Sequence, residues 1–284
     1  MNEGTRGFAA ISEGQMHYRI WQVDAPSGHL PLLMLHSSPA SSLLLCRLAS
    51  LFASSRTVLA FDTLGQGDSS PPKSDDVDMA YFADATLRGL AALGIERVDV
   101  FGTHTGARIA AEMAISAPAM VRCVVLDGIR RMPGVNFDEY AERVDLSRHM
   151  DTEGTQFFKA WNKWRSEYLF KPPHFWNLAE LTGSPLPNAD EMHAAAVEVF
   201  KGIPHGHIAY RAAIRFDVDG RLPRIPVPAL VTCARSDGSF SETDHIASVI
   251  PNASRLIHEH RVEYADAENL ARFARQMGEW LDAR

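Results

Sequence analysis

A chain of 284 residues with 46% hydrophobic and 22% charged residues has the composition of a folded globular protein, which excludes disorder and fibrous repeats. Its formal net charge of −7 gives no electrostatic case for nucleic acid or an anionic membrane as partner. No apolar run approaches the roughly 20 residues a membrane span requires, and the polar opening MNEGTRGFAAISEG lacks the layout of a secretory signal, so a soluble, cytoplasmic protein is expected.

In chain order, FAAIS and HYRIWQV read as an antiparallel hairpin at a sheet edge. Short apolar runs rich in β-branched residues then recur: LLMLH ending at His36, TVLAFD at Asp62, VDVFG at Gly102, CVVLD at Asp127, ALVTC at Cys233 and SRLIH at His258. Bounded by Gly, Pro, Ser or Asp, such runs suit strands buried on both faces of a parallel sheet. Between them the spacing predicts helices over Ser41–Ser54, Met79–Leu93, Ala107–Ala117 and Ala267–Leu281. In the last, Leu270, Phe273, Ala274, Met277, Trp280 and Leu281 form one apolar stripe. Strand–helix alternation of this kind implies a doubly wound α/β sheet with right-handed crossovers. The rhythm breaks between about Gly128 and Leu222, where the pattern is helical and dense in aromatics. That length predicts an inserted helical subdomain at 129–222, between core portions at 1–128 and 223–284.

Cys46, Cys123 and Cys233 sit among apolar residues at no metal-like spacing, and are read as reduced and buried. Ligands of open α/β sheets bind beyond the carboxyl ends of the strands. The segments there are His36-Ser37-Ser38-Pro39, Asp62-Thr63, Thr103-His104-Thr105, Asp127-Gly128, Arg235-Ser236-Asp237 and His258-Glu259-His260. Within VDVFGTHTGARIAAEMA, the turn Gly102-Thr103-His104-Thr105-Gly106 has the G-x-nucleophile-x-G spacing of an elbow between strand and helix. Such a turn lifts its central side chain above the sheet and presents the next amide at a helix N-terminus, suited to an oxyanion.

These motifs resemble those of the α/β-hydrolase superfamily over nearly the whole chain. LLMLHSSPASS is similar to its H-G-x-P oxyanion loop, with Ser37 where Gly is usual, and FDTLGQGDSS to its D-x-x-G-x-G-x-S turn. The resemblance implies a mostly parallel eight-stranded sheet flanked by helices, with the insertion forming a helical lid. It also implies a catalytic acid in ARSDGSFS, hence Asp237, with Asp127 the alternative position. A histidine is implied eight residues before Glu268, hence His260, with His258 the neighbouring candidate. The departure is at the elbow, where His104 replaces the usual Ser, Cys or Asp.

The expected site therefore has His104 as nucleophile or proton carrier, His260 as general base, Asp237 orienting His260, and the Ser38 and Thr105 amides holding an oxyanion. Phe157, Trp161, Trp164 and Tyr168 share one helix face, either packing on the core or, with Ser37, lining a substrate pocket. Phe175, Trp176, His205 and His207 are candidates for further wall. No cofactor and no metal is expected, although His104, His260 and Asp237 are of the right types for a two-His, one-carboxylate set. The expected partner is a small-molecule substrate, and a homodimer stays open. The activity expected is hydrolysis of a small, partly apolar ester, lactone or related carbonyl compound. The alternatives are cofactor-free proton-transfer chemistry (lyase, isomerase or oxygenase) and ligand binding without catalysis.

Overall fold

The computed structural model describes residues 2–23, 28–132, 145, 147, 150–170, 181 and 186–284. Eight strands form one sheet: β1 (Thr5–Ile11), β2 (Gly14–Trp21), β3 (Leu32–Leu35), β4 (Val58–Phe61), β5 (Val98–Thr103), β6 (Val121–Asp127), β7 (Ala229–Ala234) and β8 (Ala253–His258). Their spatial order is β1-β2-β4-β3-β5-β6-β7-β8. β1 and β2 form the expected antiparallel edge hairpin, β2 meets β4 antiparallel, and every later pairing is parallel.

Alternation of side chains along the strands divides the core into two layers. Leu33 and Leu35 point to one face, where Phe82 of α2 (Met79–Ala92) and Ile109 of α3 (Thr105–Ser116) cover them. Leu32 and Met34 point to the other, beneath Leu48 of α1 (Cys46–Phe52) and Phe273 and Met277 of the helix Ala267–Asp282. Each such leucine contributes about 1.5–3 kcal/mol by leaving water. The predicted helix at Ser41–Ser54 is a 3-10 turn, Ser42–Leu45, leading into α1. Cys46, Cys123 and Cys233 are buried and free, and burial pushes the Cys46 thiol up to about 12.

Between β6 and β7 the chain builds the helices Thr155–Leu169, Ala189–Lys201 and Gly206–Ile214. The first two share an apolar cluster in which Trp164 and Tyr168 pack with Met192, Ala195 and Val199. Among the described residues, no helix is long and apolar enough to cross a membrane.

Candidate active site

β5 ends at Thr103 and α3 begins at Thr105, so His104 alone forms the turn between them. Its φ of 49° and ψ of −102° make it the one non-glycine residue with positive φ among the described residues. Such a conformation costs about 1–3 kcal/mol and needs neighbours that enforce it. A Cβ at Gly102 would lie 2.2 Å from the Gly106 carbonyl oxygen, and one at Gly106 would lie 2.2 Å from the Leu35 oxygen. The two glycines thus let strand, turn and helix pack backbone on backbone. The His104 amide donates to the Asp127 carbonyl at 2.8 Å and the Gly106 amide to the His36 carbonyl at 3.1 Å. These bonds tie the elbow to the ends of β6 and β3.

The His104 side chain reaches across to the loop after β7, where its Nε2 lies 3.0 Å from Asp237 Oδ2. Asp237 Oδ1 accepts the Ser239 amide at 2.7 Å, and Arg261 Nε stands 3.5 Å from Oδ2. Burial alone would raise the Asp237 carboxyl, but the His104 imidazole, Arg261 and the Ser239 amide outweigh it and hold it well below the usual carboxylate range. An ionised carboxylate only accepts hydrogen bonds, so it favours the tautomer with its proton on Nε2 and leaves the lone pair on Nδ1. Gly128, at φ +70°, makes room for the ring: a Cβ there would sit 2.8 Å from His104 Cε1.

A second His–Asp pair lies deeper. His258 Nε2 is 2.9 Å from Asp127 Oδ1, which also accepts the Thr232 hydroxyl at 2.9 Å, while His258 Nδ1 is 2.8 Å from the His260 carbonyl oxygen. Burial opposes charge on both side chains. The mutual attraction and hydrogen bond win, lowering the Asp127 carboxyl and raising the His258 imidazole. Neither residue lines the cavity above His104.

The expectation that Asp237 orients His260 is corrected by this geometry. Asp237 meets His104, while His260 lines a separate cavity beside Glu263 and Tyr264. The residue that approaches Asp237 from the loop after β8 is Arg261, which sequence reasoning missed. Arg261 also meets Glu167 at 3.2 Å and Glu263 at 3.4 Å, and its guanidinium lies over the Tyr264 ring.

The cavity above His104 holds about 140 Å³ and is walled by Ser37, Ser38 and Thr105 on the core side. Thr105 is the first residue of α3, and first-turn amides have no acceptor within their own helix. The Ser38 hydroxyl accepts Gln66 Nε2 at 2.6 Å, and Gln66 Oε1 accepts the Ala40 amide, so a buried amide fixes this loop. His36 is structural: its Nε2 accepts the Thr63 amide at 2.9 Å, its Nδ1 faces the Ser37 carbonyl, and burial lowers its basicity. Opposite, Trp164 and Tyr210 form part of the wall, with Arg108 and Arg130 at the elbow side.

The other expected pocket residues are elsewhere. Tyr168 lines the separate cavity, Phe157 is half exposed and packs its edge on Phe200, and Trp161 is 38% exposed. The helix twist turns these two outward while Trp164 faces in. His205 directly precedes the helix Gly206–Ile214, and His207 Nδ1 lies 3.6 Å from Asp145. Phe175 and Trp176 lie outside the described residues.

His104, His260 and Asp237 do not converge as a metal set, because His260 lines the other cavity. Among the described residues, His17, Asp62 and Asp68 bring ligand atoms close together. Asp62 already accepts His17 and the amides of Ser42 and Asp68, and Asp68 is paired with Arg6 and Lys201, so its charge is met by side-chain cations.

The chain is 22% identical to a proline iminopeptidase of Heyndrickxia coagulans, over 98% of its own length and 99% of the relative's. Among solved structures it resembles the enol-lactonase of Burkholderia xenovorans, with a TM-score of 0.74 and 18% identity over 97% of this chain and 100% of that one. It also resembles a hydrolase of Pseudomonas aeruginosa, with a TM-score of 0.75 and 20% identity over 99% of both chains. The family model described as alpha/beta hydrolase fold matches residues 31–262, and the chain belongs to that family.

Proposed function

We propose that the protein hydrolyses a small, partly apolar ester or lactone, with the His104–Asp237 couple carrying the proton. The observation that supports this reading is the 3.0 Å contact between His104 Nε2 and Asp237 Oδ2, at a cavity also lined by Ser38 and Thr105. His104 Nδ1 removes a proton from water, the resulting hydroxide oxygen adds to the substrate carbonyl, and the Ser38 and Thr105 amides hold the oxyanion. The imidazolium, stabilised by Asp237, then gives its proton to the departing alkoxide oxygen, which restores neutral His104. Water is the preferred nucleophile because an acyl-imidazole on His104 would need a second base to clear it, and His260 lines the other cavity. The helices between β6 and β7 act as a lid, and the small volume favours compact substrates.

The same single imidazole favours one other reading, proton transfer within a carbonyl substrate without hydrolysis. A panel of short-chain nitrophenyl esters and lactones, assayed with wild type and His104→Ala, separates the two. Hydrolysis that falls at least about 100-fold in the variant supports the hydrolase. No hydrolysis, together with His104-dependent exchange of solvent deuterium into a carbonyl compound, would overturn it in favour of proton transfer.

A further inference from the structure

A second cavity, of about 550 Å³, lies between the loop after β8 and the helix Ala189–Lys201. Among the described residues, Tyr264 is the only one that lines both it and the cavity above His104. Its volume falls in the range of small-molecule sites. Leu43, Leu44 and Leu186 give it apolar surface, and the rings of Tyr168 and Tyr264, 4.3 Å apart between centroids, form an aromatic wall.

The polar atoms are one-sided. Glu3, Asp190, Glu191, Glu263 and Asp266 face Arg47 and the His260 imidazole. Glu263 is the informative one, because its side chain is only 1% exposed. Its Oε1 accepts the Ser37 hydroxyl at 3.0 Å and Arg261 Nη2 at 3.4 Å. Its Oε2 is buried and has no hydrogen-bond partner among the described residues. A buried carboxylate oxygen without a donor is costly, and native structures seldom leave one so. The missing group is a hydrogen-bond donor. The acidic excess and the tyrosine wall both favour a cationic donor with an apolar body.

We infer that this cavity is a second ligand site, separate from the one above His104, that binds a small organic ammonium compound whose N–H groups reach Glu263 Oε2. The occupant touches the carboxylate whose other oxygen holds Ser37 in the wall of the first cavity, so the two sites share a physical link.

Calorimetric titration of the full chain with benzylamine, phenethylamine and 3-phenylpropylamine tests this, with 2-phenylethanol as the neutral comparison. At least one amine is expected to bind saturably with one site per chain, and the alcohol at least about tenfold more weakly. Glu263→Gln is expected to weaken the amine by about tenfold or more. Ala194→Trp, on an exposed residue of the cavity wall, is expected to block it, whereas Ala213→Trp in the first cavity leaves it unchanged. Should Glu263→Gln fail to fold, the two tryptophan variants still decide the location. Absence of saturable amine binding, equal binding of amine and alcohol, or loss in Ala213→Trp with retention in Ala194→Trp would overturn the inference. Because the readout is binding, it stands or falls independently of the hydrolytic reading.

Discussion

His104 Nε2 and Asp237 Oδ2 are 3.0 Å apart, although the two residues stand 133 positions apart along the chain. The elbow itself carries the imidazole, and its carboxylate partner comes from the loop after β7. Removing either member therefore tests the proton carrier. His104→Ala and Asp237→Asn are each predicted to lower kcat by about 10²–10⁴-fold, with KM changing far less. Steady-state kinetics on any ester or lactone that wild type hydrolyses provides the measurement. An unchanged kcat in Asp237→Asn would remove the carboxylate from the mechanism.

Restoring serine at the elbow should not restore a serine enzyme. A hydroxyl at position 104 needs a neighbouring base, but His258, at the end of β8, pairs with Asp127, and His260, in the loop that follows, lines the second cavity. His104→Ser is predicted to be as inactive as His104→Ala. It should also fail to form an adduct with a fluorophosphonate ester, read by intact mass. Adduct formation with restored turnover would mean that a base reaches the cavity after all.

Gly128 is predicted to be intolerant of any side chain. Its φ of +70° disfavours L-residues, and a Cβ would stand 2.8 Å from the His104 ring. Gly128→Ala is expected to cost about 1–3 kcal/mol, seen as a lower Tm, and to reduce kcat through a displaced imidazole. A variant with unaltered kcat would show that the ring position is not what the chemistry depends on.

The buried His258–Asp127 pair should appear in the pH dependence of stability. His258 is raised above its unfolded value, so its contribution is complete below about pH 6.5 and is lost as pH rises through its folded pKa. Asp127 is depressed, so its contribution is present above about pH 3.9 and is lost as pH falls through its folded pKa. Asp127→Asn is predicted to be destabilised by about 2–3 kcal/mol near pH 5.5, with a smaller gap from wild type at pH 9. Thermal unfolding at the two values checks this, and an equal gap at both would sink the pairing argument.

Much of the architecture was legible because parallel strands buried on both faces leave an unmistakable signature. β6 ends at Asp127 and β8 at His258, where the sequence puts them, and the elbow glycines mark the site of His104. The partner of Asp237 was not legible, and the reason is local. After β8 the amides of Tyr264 and Ala265 both donate to the Arg261 carbonyl, so the chain coils tightly. Consecutive side chains in such a turn point in widely different directions. His260 and Arg261, adjacent in the chain, therefore face different cavities, and counting back from Glu268 cannot say which faces Asp237. The aromatic face fails similarly. Its four residues fall at helical spacing, but only Trp164 and Tyr168 reach the interior, and they serve separate cavities.

β6 and β7 are hydrogen-bonded neighbours, with Asp127 level with Thr232, although the chain leaves the sheet for about 100 residues between them. The ends of that excursion are clamped by the ladder itself. The segment that supplies Trp164 and Tyr210 to the wall of the first cavity can accordingly be exchanged while the strand ends that aim the imidazole stay in register. A graft of this segment onto a relative's core, or the reverse, would move selectivity as a detachable module.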